Sequence, residues 1–397
     1  MTSFLTGADL ILPDRILSGH TLAIEGDRIV DIISGPRAVG PHEVQVDLQG
    51  LVIAPGLIDV HVHGAMSCDV LDGRGAVRRL AELLPRWGVT AFCPTTVACK
   101  PVELEGFLRE VGELRSSFSR TAARVLPAHL ESNFINPGYR GAQPLACLRT
   151  AATVDARDSG PHFSAADVLS VIHRCRPDVG IVTLAPEIDG GMRLVQDFVA
   201  AGLMVSLGHS GATFEQAQEA IALGARQATH LFNRMSPMTH RDPGLTGAVL
   251  SSDDVAAELI CDGHHVHPAV MRVAIAAKGT ARIMAITDGT AGSGMAVGSR
   301  ALLGGQSITV QDVARLDDGT IAGSVLTMNR VFALLVTRGG MDLVQAATMC
   351  STTPARELGL SGHGVIAAGA IADLVVLDAN LNVRQTWIAG ERVYASE

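Results

Sequence analysis

APGLIDVHVHG (residues 54–64) decides the fold. Its apolar run carries His61 and His63, spaced by two. In a strand, residues two apart share a face, so the two histidines point the same way. Paired imidazoles on one interior face need a metal or carboxylates to satisfy them. Four further short apolar runs end on a metal-binding side chain: RVLPAHLE (124–131), LMVSLGHS (203–210), ATHLF (228–232) and RIMAITDG (282–289). They deliver Glu131, His209, His230 and Asp288. His129 lies two residues before Glu131 and shares its face. Parallel strands that end this way converge their groups at one face of a barrel. The pattern predicts a hydrolase in which a bound metal makes hydroxide from water.

Outward from this stretch, strand-like runs fall at 57–61, 88–93, 124–130, 179–185, 202–208, 226–231, 255–261 and 281–287. Most are followed by a helical stretch, such as AVRRLAELLPRWG, SAADVLSVIHRC, TFEQAQEAIALG or PAVMRVAIAAKG, and several of these end at a glycine. Eight strand–helix units predict an α/β chain with a closed (β/α)8 TIM-type barrel, placed at 54–362. An open doubly wound sheet is the alternative, but no Gly-x-Gly-x-x-Gly follows the first strand. Residues 1–53 alternate apolar and polar positions around Gly, Pro and Asp, and residues 363–397 do the same. Neither end can bury a face alone. Together they predict one small β-sandwich, with two unrelated edge hairpins as the alternative.

The chain has 397 residues, 47% of them hydrophobic and 18% charged, which favours a large buried core over disorder. The net charge of −9 comes without a basic stripe and argues against nucleic acid as a partner. An anionic substrate must therefore find a local positive pocket. Seven scattered cysteines form no close pair, so neither a disulfide framework nor a zinc knuckle is expected. No apolar run reaches the ~18 residues of a membrane span, and the first residues lack signal-peptide character. A cytoplasmic protein is the expectation.

Two histidines and one carboxylate leave a fourth position open for water, as in catalytic zinc sites. Glu131, His209 and His230 are thus the principal ligand candidates, with His61 and His63 forming a second site. One or two divalent ions are expected, zinc foremost, with iron, manganese or cobalt as alternatives. Asp288 could cap the turn TDGTAGSG, or it could shuttle a proton from the attacking water to the leaving nitrogen. A carbamylated lysine bridging two metals at the fourth strand is not expected. The only lysines are Lys100 and Lys278, and the fourth strand leads to Glu187.

The motifs HLESNFINPGYRGAQP (129–144), SLGHSGAT (206–213), THLFNRMSPMTHRDPGLTGAV (229–249), ICDGHHVHP (260–268), ITDGTAG (286–292) and IAGSVLTM (321–328) join the opening stretch. Together they resemble the amidohydrolase superfamily and, within it, the N-acetylglucosamine-6-phosphate deacetylase family. The resemblance implies a (β/α)8 barrel with a β-sandwich from both termini, usually as a homodimer. It implies Glu131, His209 and His230 as metal ligands and Asp288 as acid/base. Substrate contacts would fall on Ala142, Gln143, Asn233, Arg234, Arg241, Asp262, His265, Ile321, Ala322 and Gly323, with Arg241 completing the neighbouring subunit's site. The departures are Ser132 and Asn133 where the family reads Gly-Pro, Gln143 where it has histidine, and Arg234 where it has a small residue. Gln143 can donate a hydrogen bond but carries no charge.

The expected activity is metal-dependent removal of an N-acetyl group from an amino sugar phosphate, N-acetylglucosamine 6-phosphate foremost. Other N-acyl substrates remain as alternatives: N-acetylgalactosamine 6-phosphate, an unphosphorylated acetyl sugar, an N-acyl amino acid or a nucleobase-like ring. A non-catalytic barrel would have lost its ligands, and here every principal ligand is present.

Overall fold

The computed structural model of the chain describes residues 2–35, 40, 43–150 and 163–396. Eight parallel strands follow one another in chain order: β1 Leu57–Val62, β2 Val89–Thr96, β3 Ala128–Glu131, β4 Val179–Leu184, β5 Met204–Leu207, β6 Gln227–Ala228, β7 Ala256–Ile260 and β8 Ile283–Ile286. Each pairs with the next. β8 meets β1 just past its regular end, where Gly289 bridges Val62 and the Asp288 N–H donates to the His61 carbonyl at 3.0 Å. The sheet is a nearly closed barrel, not an open one.

A helix follows each strand: α1 Ala76–Leu83, α2 Pro101–Ser116, α3 Ala165–Arg174, α4 Gly191–Ala200, α5 Phe214–Ala222, α6 Gly244–Ser251, α7 Pro268–Lys278 and α8 Met328–Thr337. Their buried positions carry the helical period. In α2, Leu104, Phe107, Leu108 and Val111 form one apolar stripe. A reciprocal cap between Thr213 and Gln216 starts α5 and sets where the chain leaves the loop that carries His209. The third barrel run is split. Arg124–Val125 pairs with Ala91 and Phe92, and pairing with β2 resumes at His129, beyond Pro127, which has no N–H to give.

The two chain ends build one unit. Leu374–Leu377 pairs antiparallel with Val52–Pro55, placing a C-terminal strand inside an N-terminal sheet. That six-stranded sheet shares an apolar core with the four-stranded sheet of Thr2–Thr6, His20–Glu25, Arg28–Ser34 and Glu43–Asp47. Leu5, Leu22 and Ile29 from one sheet meet Leu10, Ile53, Val376 and Trp387 from the other. The β-sandwich expectation holds, and separate hairpins are ruled out.

One element was not expected. Arg300–Leu303, Gln306–Val310 and Ala314–Leu316 form a three-stranded antiparallel sheet between β8 and α8. The Gln306 side chain donates to the Ala142 carbonyl at 2.8 Å. The insertion is thereby docked onto the loop that follows β3.

Candidate active site

The ligand candidates gather at the C-terminal ends of the barrel strands, but most do not lie on the strands themselves. His209, His230 and Asp288 each stand two residues beyond the last paired residue of β5, β6 and β8. All three have left-handed backbones, with φ of 48°, 33° and 47°. A non-glycine residue in such a conformation costs about 1–3 kcal/mol and persists only where the surroundings enforce it. The same device is used three times to turn the chain outward while the side chain stays directed inward. His61 lies on β1 and Glu131 ends β3, while His63 stands one residue past β1. All six residues are buried, none more than 7% exposed.

They form two clusters around one carboxylate. Glu131 Oε1 lies 2.7 Å from His209 Nε2 and 2.8 Å from His230 Nε2, and the two ring nitrogens are 3.1 Å apart. Beside this trio, Asp288 Oδ1 lies 3.3 Å from both His61 Nε2 and His63 Nε2, themselves 3.2 Å apart.

The outer partners show what these clusters want. The Nδ1 atom of His209 faces the Tyr139 carbonyl at 2.8 Å, that of His63 the Thr95 carbonyl at 3.0 Å, and that of His61 the Glu258 carboxylate at 2.8 Å. Each partner can only accept, so each Nδ1 carries the hydrogen. The tautomer then leaves Nε2 as a bare lone pair aimed at the other donors. His230 differs: its buried Nδ1 has no partner among the described residues. Converging lone pairs and carboxylates with so little positive charge between them fit a divalent cation. The electrostatics agree. Burial alone would push the His61 imidazole down, yet Glu258, Asp288 and Glu131 hold it up, at about 10. Burial would likewise raise Glu131, but His209, His230 and His61 hold it well below the usual carboxylate range. The site demands positive charge, and in the absence of an ion a proton must supply it.

His129, which shares the Glu131 strand face, is not part of either trio. Its Nε2 meets Thr183 Oγ1 at 2.7 Å, and burial holds it neutral with a pKa of about 4. Glu258 was missed by sequence reasoning. It lies inside β7 and also accepts from Gln227 at 2.5 Å. A lone glutamate in AAELI was the available signal. Glu187, which follows β4, accepts from Ser210 Oγ and the Gly211 N–H, both at 2.6 Å. It braces the His209 loop and is far from a bridging role.

A cavity of about 440 Å³ opens over both clusters. Ala142, Gln143, Asn233, Arg234, His265, Ile321, Ala322 and Gly323 line it, as do Tyr139, Phe232 and Leu303, which had not been singled out. Asp262 stands behind His265, bonded to its Nδ1 at 2.5 Å. Arg241 lies outside, on an exposed turn where its N–H meets Thr239 Oγ1. Arg234 is the one lysine or arginine among the lining residues, and its guanidinium has no ion-pair partner among the described residues. Gly323 has φ of +84°, and a Cβ there would sit 2.9 Å from the Asp288 carbonyl, so the wall can approach that closely only as glycine. Ser132 and Asn133 face away from the cavity. Ser132 Oγ donates to the Thr183 carbonyl at 2.5 Å, and Asn133 donates to the Cys99 and Cys147 carbonyls. Both side chains are spent on backbone carbonyls, and neither lines the cavity.

A nearly closed parallel barrel with two buried histidine–carboxylate clusters at its C-terminal face defines a metal-dependent hydrolase. The chain belongs to the amidohydrolase family of enzymes acting on amide bonds, whose family model matches residues 52–393. It is 37% identical over 364 residues to an N-acetylglucosamine-6-phosphate deacetylase of Danio rerio, covering 88% of this chain and 86% of that one. It is 32% identical over 393 residues to an N-acetylgalactosamine-6-phosphate deacetylase of Escherichia coli O157:H7, covering 98% and 99%. A crystal structure of N-acetylglucosamine-6-phosphate deacetylase from Pasteurella multocida superposes over the whole of both chains with a TM-score of 0.89 at 27% identity.

Proposed function

We propose that this chain hydrolyses the N-acetyl group of N-acetylglucosamine 6-phosphate, giving glucosamine 6-phosphate and acetate. One observation carries the reading. Two ligand clusters floor a cavity whose single permanent cation, Arg234, stands exposed among its lining residues. An amide is thus offered to the clusters while an anionic group is offered a guanidinium, which suits phosphate geometry. The named relatives support the same substrate class.

Glu131, His209 and His230 would hold the principal ion, and His61, His63 and Asp288 a second, weaker one. Zinc suits two histidines and a carboxylate. Bound there, a divalent ion polarises the acetyl carbonyl and lowers the pKa of water. Asp288 takes the proton of the attacking water and returns it to the departing amine, so that the C–N bond breaks to a neutral amino group. Burial would raise this carboxyl, but His61, His63 and His230 hold it below the ordinary range, so it starts as the base. His265, fixed by Asp262, and Asn233 orient the sugar, and Ile321 through Gly323 wall it in. Arg241, outside its own cavity, serves the site of a second subunit in a homodimer. A cytoplasmic setting accords with the seven cysteines, all of them free.

Acetate release from N-acetylglucosamine 6-phosphate, its galactosamine epimer, unphosphorylated N-acetylglucosamine and N-acetyl amino acids tests the reading. The glucosamine phosphate should show the highest kcat/KM. The unphosphorylated sugar should fall roughly 100-fold or more, the scale of a lost charge-assisted contact of about 3 kcal/mol. Arg234→Ala should raise KM for the phosphorylated sugar and shrink that gap. A faster galactosamine epimer would reassign the sugar. Preference for N-acetyl amino acids would overturn the amino sugar reading.

A further inference from the structure

Glu131 lies between the two clusters and turns one oxygen toward each. Its Oε1 meets His209 and His230, while its Oε2 lies 3.7 Å from His63 Nε2. That second oxygen is positioned to complete the site of His61, His63 and Asp288, which otherwise has three ligands. It is not free. Gln143, buried to 4% exposure, donates its side-chain amide to Glu131 Oε2. The orientation of that amide is fixed independently, because Gln143 Oε1 accepts the Ala98 N–H at 2.7 Å and leaves the NH2 group to face the carboxylate.

We infer that Gln143 is a positioning residue for metal occupancy: it engages the Glu131 oxygen that would join the clusters, so the chain holds one ion tightly and a second loosely. The inference rests on the metal reading above and adds what sets the difference between the two sites. A hydrogen-bond donor and a cation draw on the same oxygen. While the amide holds Oε2, the carboxylate plane is committed to His209 and His230, and a second ion must bind with His61, His63 and Asp288 alone. A simple supporting role makes the opposite demand. Outer partners that merely orient a ligand strengthen binding, and losing one costs about 10–100-fold in metal affinity.

Gln143→Met separates the two, since it keeps the side-chain length and removes both hydrogen-bonding groups. Metal-free protein is titrated with cobalt(II), with bound ion counted by equilibrium dialysis and the visible spectrum recorded at each step. Wild type should bind one ion tightly and the second at least ten-fold more weakly. In Gln143→Met the second ion should tighten about ten-fold or more, while the first changes little. Weakening of both ions, or a second ion unaltered, would overturn the inference. Wild type binding two ions with equal affinity would also overturn it. Wild type binding none would overturn the metal reading itself. Gln143→Ala, with folding checked by circular dichroism, repeats the measurement should methionine misfold, and the same outcomes decide.

Discussion

Asp288→Asn should lower kcat by about 10³-fold, within the 10²–10⁴-fold range of general acid–base catalysis, while the ion at Glu131, His209 and His230 stays bound. The carboxylate stands 3.3 Å from His61 and His63, and the side chain is only 9% exposed. Its backbone is anchored on both sides: the N–H donates to the His61 carbonyl, and its own carbonyl accepts from Ser324 at 2.8 Å. Asparagine preserves that frame and the side-chain volume, so the loss should be chemical and not structural. Acetate release under saturating substrate, paired with metal content of the same sample, is the measurement. A variant with near-wild-type turnover would remove Asp288 from the mechanism. A variant depleted of the principal ion would make it a ligand instead.

His209→Ala should strip most of the affinity from the principal ion site, and turnover with it. A metal-orienting outer partner is typically worth 10–100-fold in affinity, and a direct ligand should be worth more. Its Nε2 meets Glu131 Oε1, and its Nδ1–H is spent on the Tyr139 carbonyl, so no neighbouring side chain duplicates it. Affinity for zinc should drop by at least about 100-fold, with acetate release falling to background unless excess metal is supplied. Competition against a chromophoric chelator reads the affinity directly. Unchanged zinc affinity would dismantle the three-ligand set.

Much of this site was legible because barrel strands impose two simple regularities. Period-two alternation put His61 and His63 on one face, and strand order put Glu131, His209, His230 and Asp288 at one end. What stayed hidden depends on tertiary approach. Left-handed turns at His209, His230 and Asp288 are only faintly marked by residue type: histidine and aspartate are enriched at positive φ, yet most of them lie elsewhere. Glu258 and the Tyr139 and Thr95 carbonyls become outer partners only once distant strands are side by side. The Arg300–Leu316 insertion did carry a signal. Gly304 and Gly305 sit between alternating runs, the usual mark of a hairpin turn, but strand–helix counting passed over it. Gln143 was legible as a departure, yet its bond to Glu131 was not, because that depends on how the loop after β3 folds back under the docked insertion.

Anomalous diffraction at the zinc edge, from crystals grown with one equivalent of zinc, is the most direct test. A single strong peak is expected, bonded to Glu131, His209 and His230, beneath the cavity that Arg234 lines. A peak elsewhere, or those three side chains closed on one another with no ion in protein that still releases acetate, would contradict it.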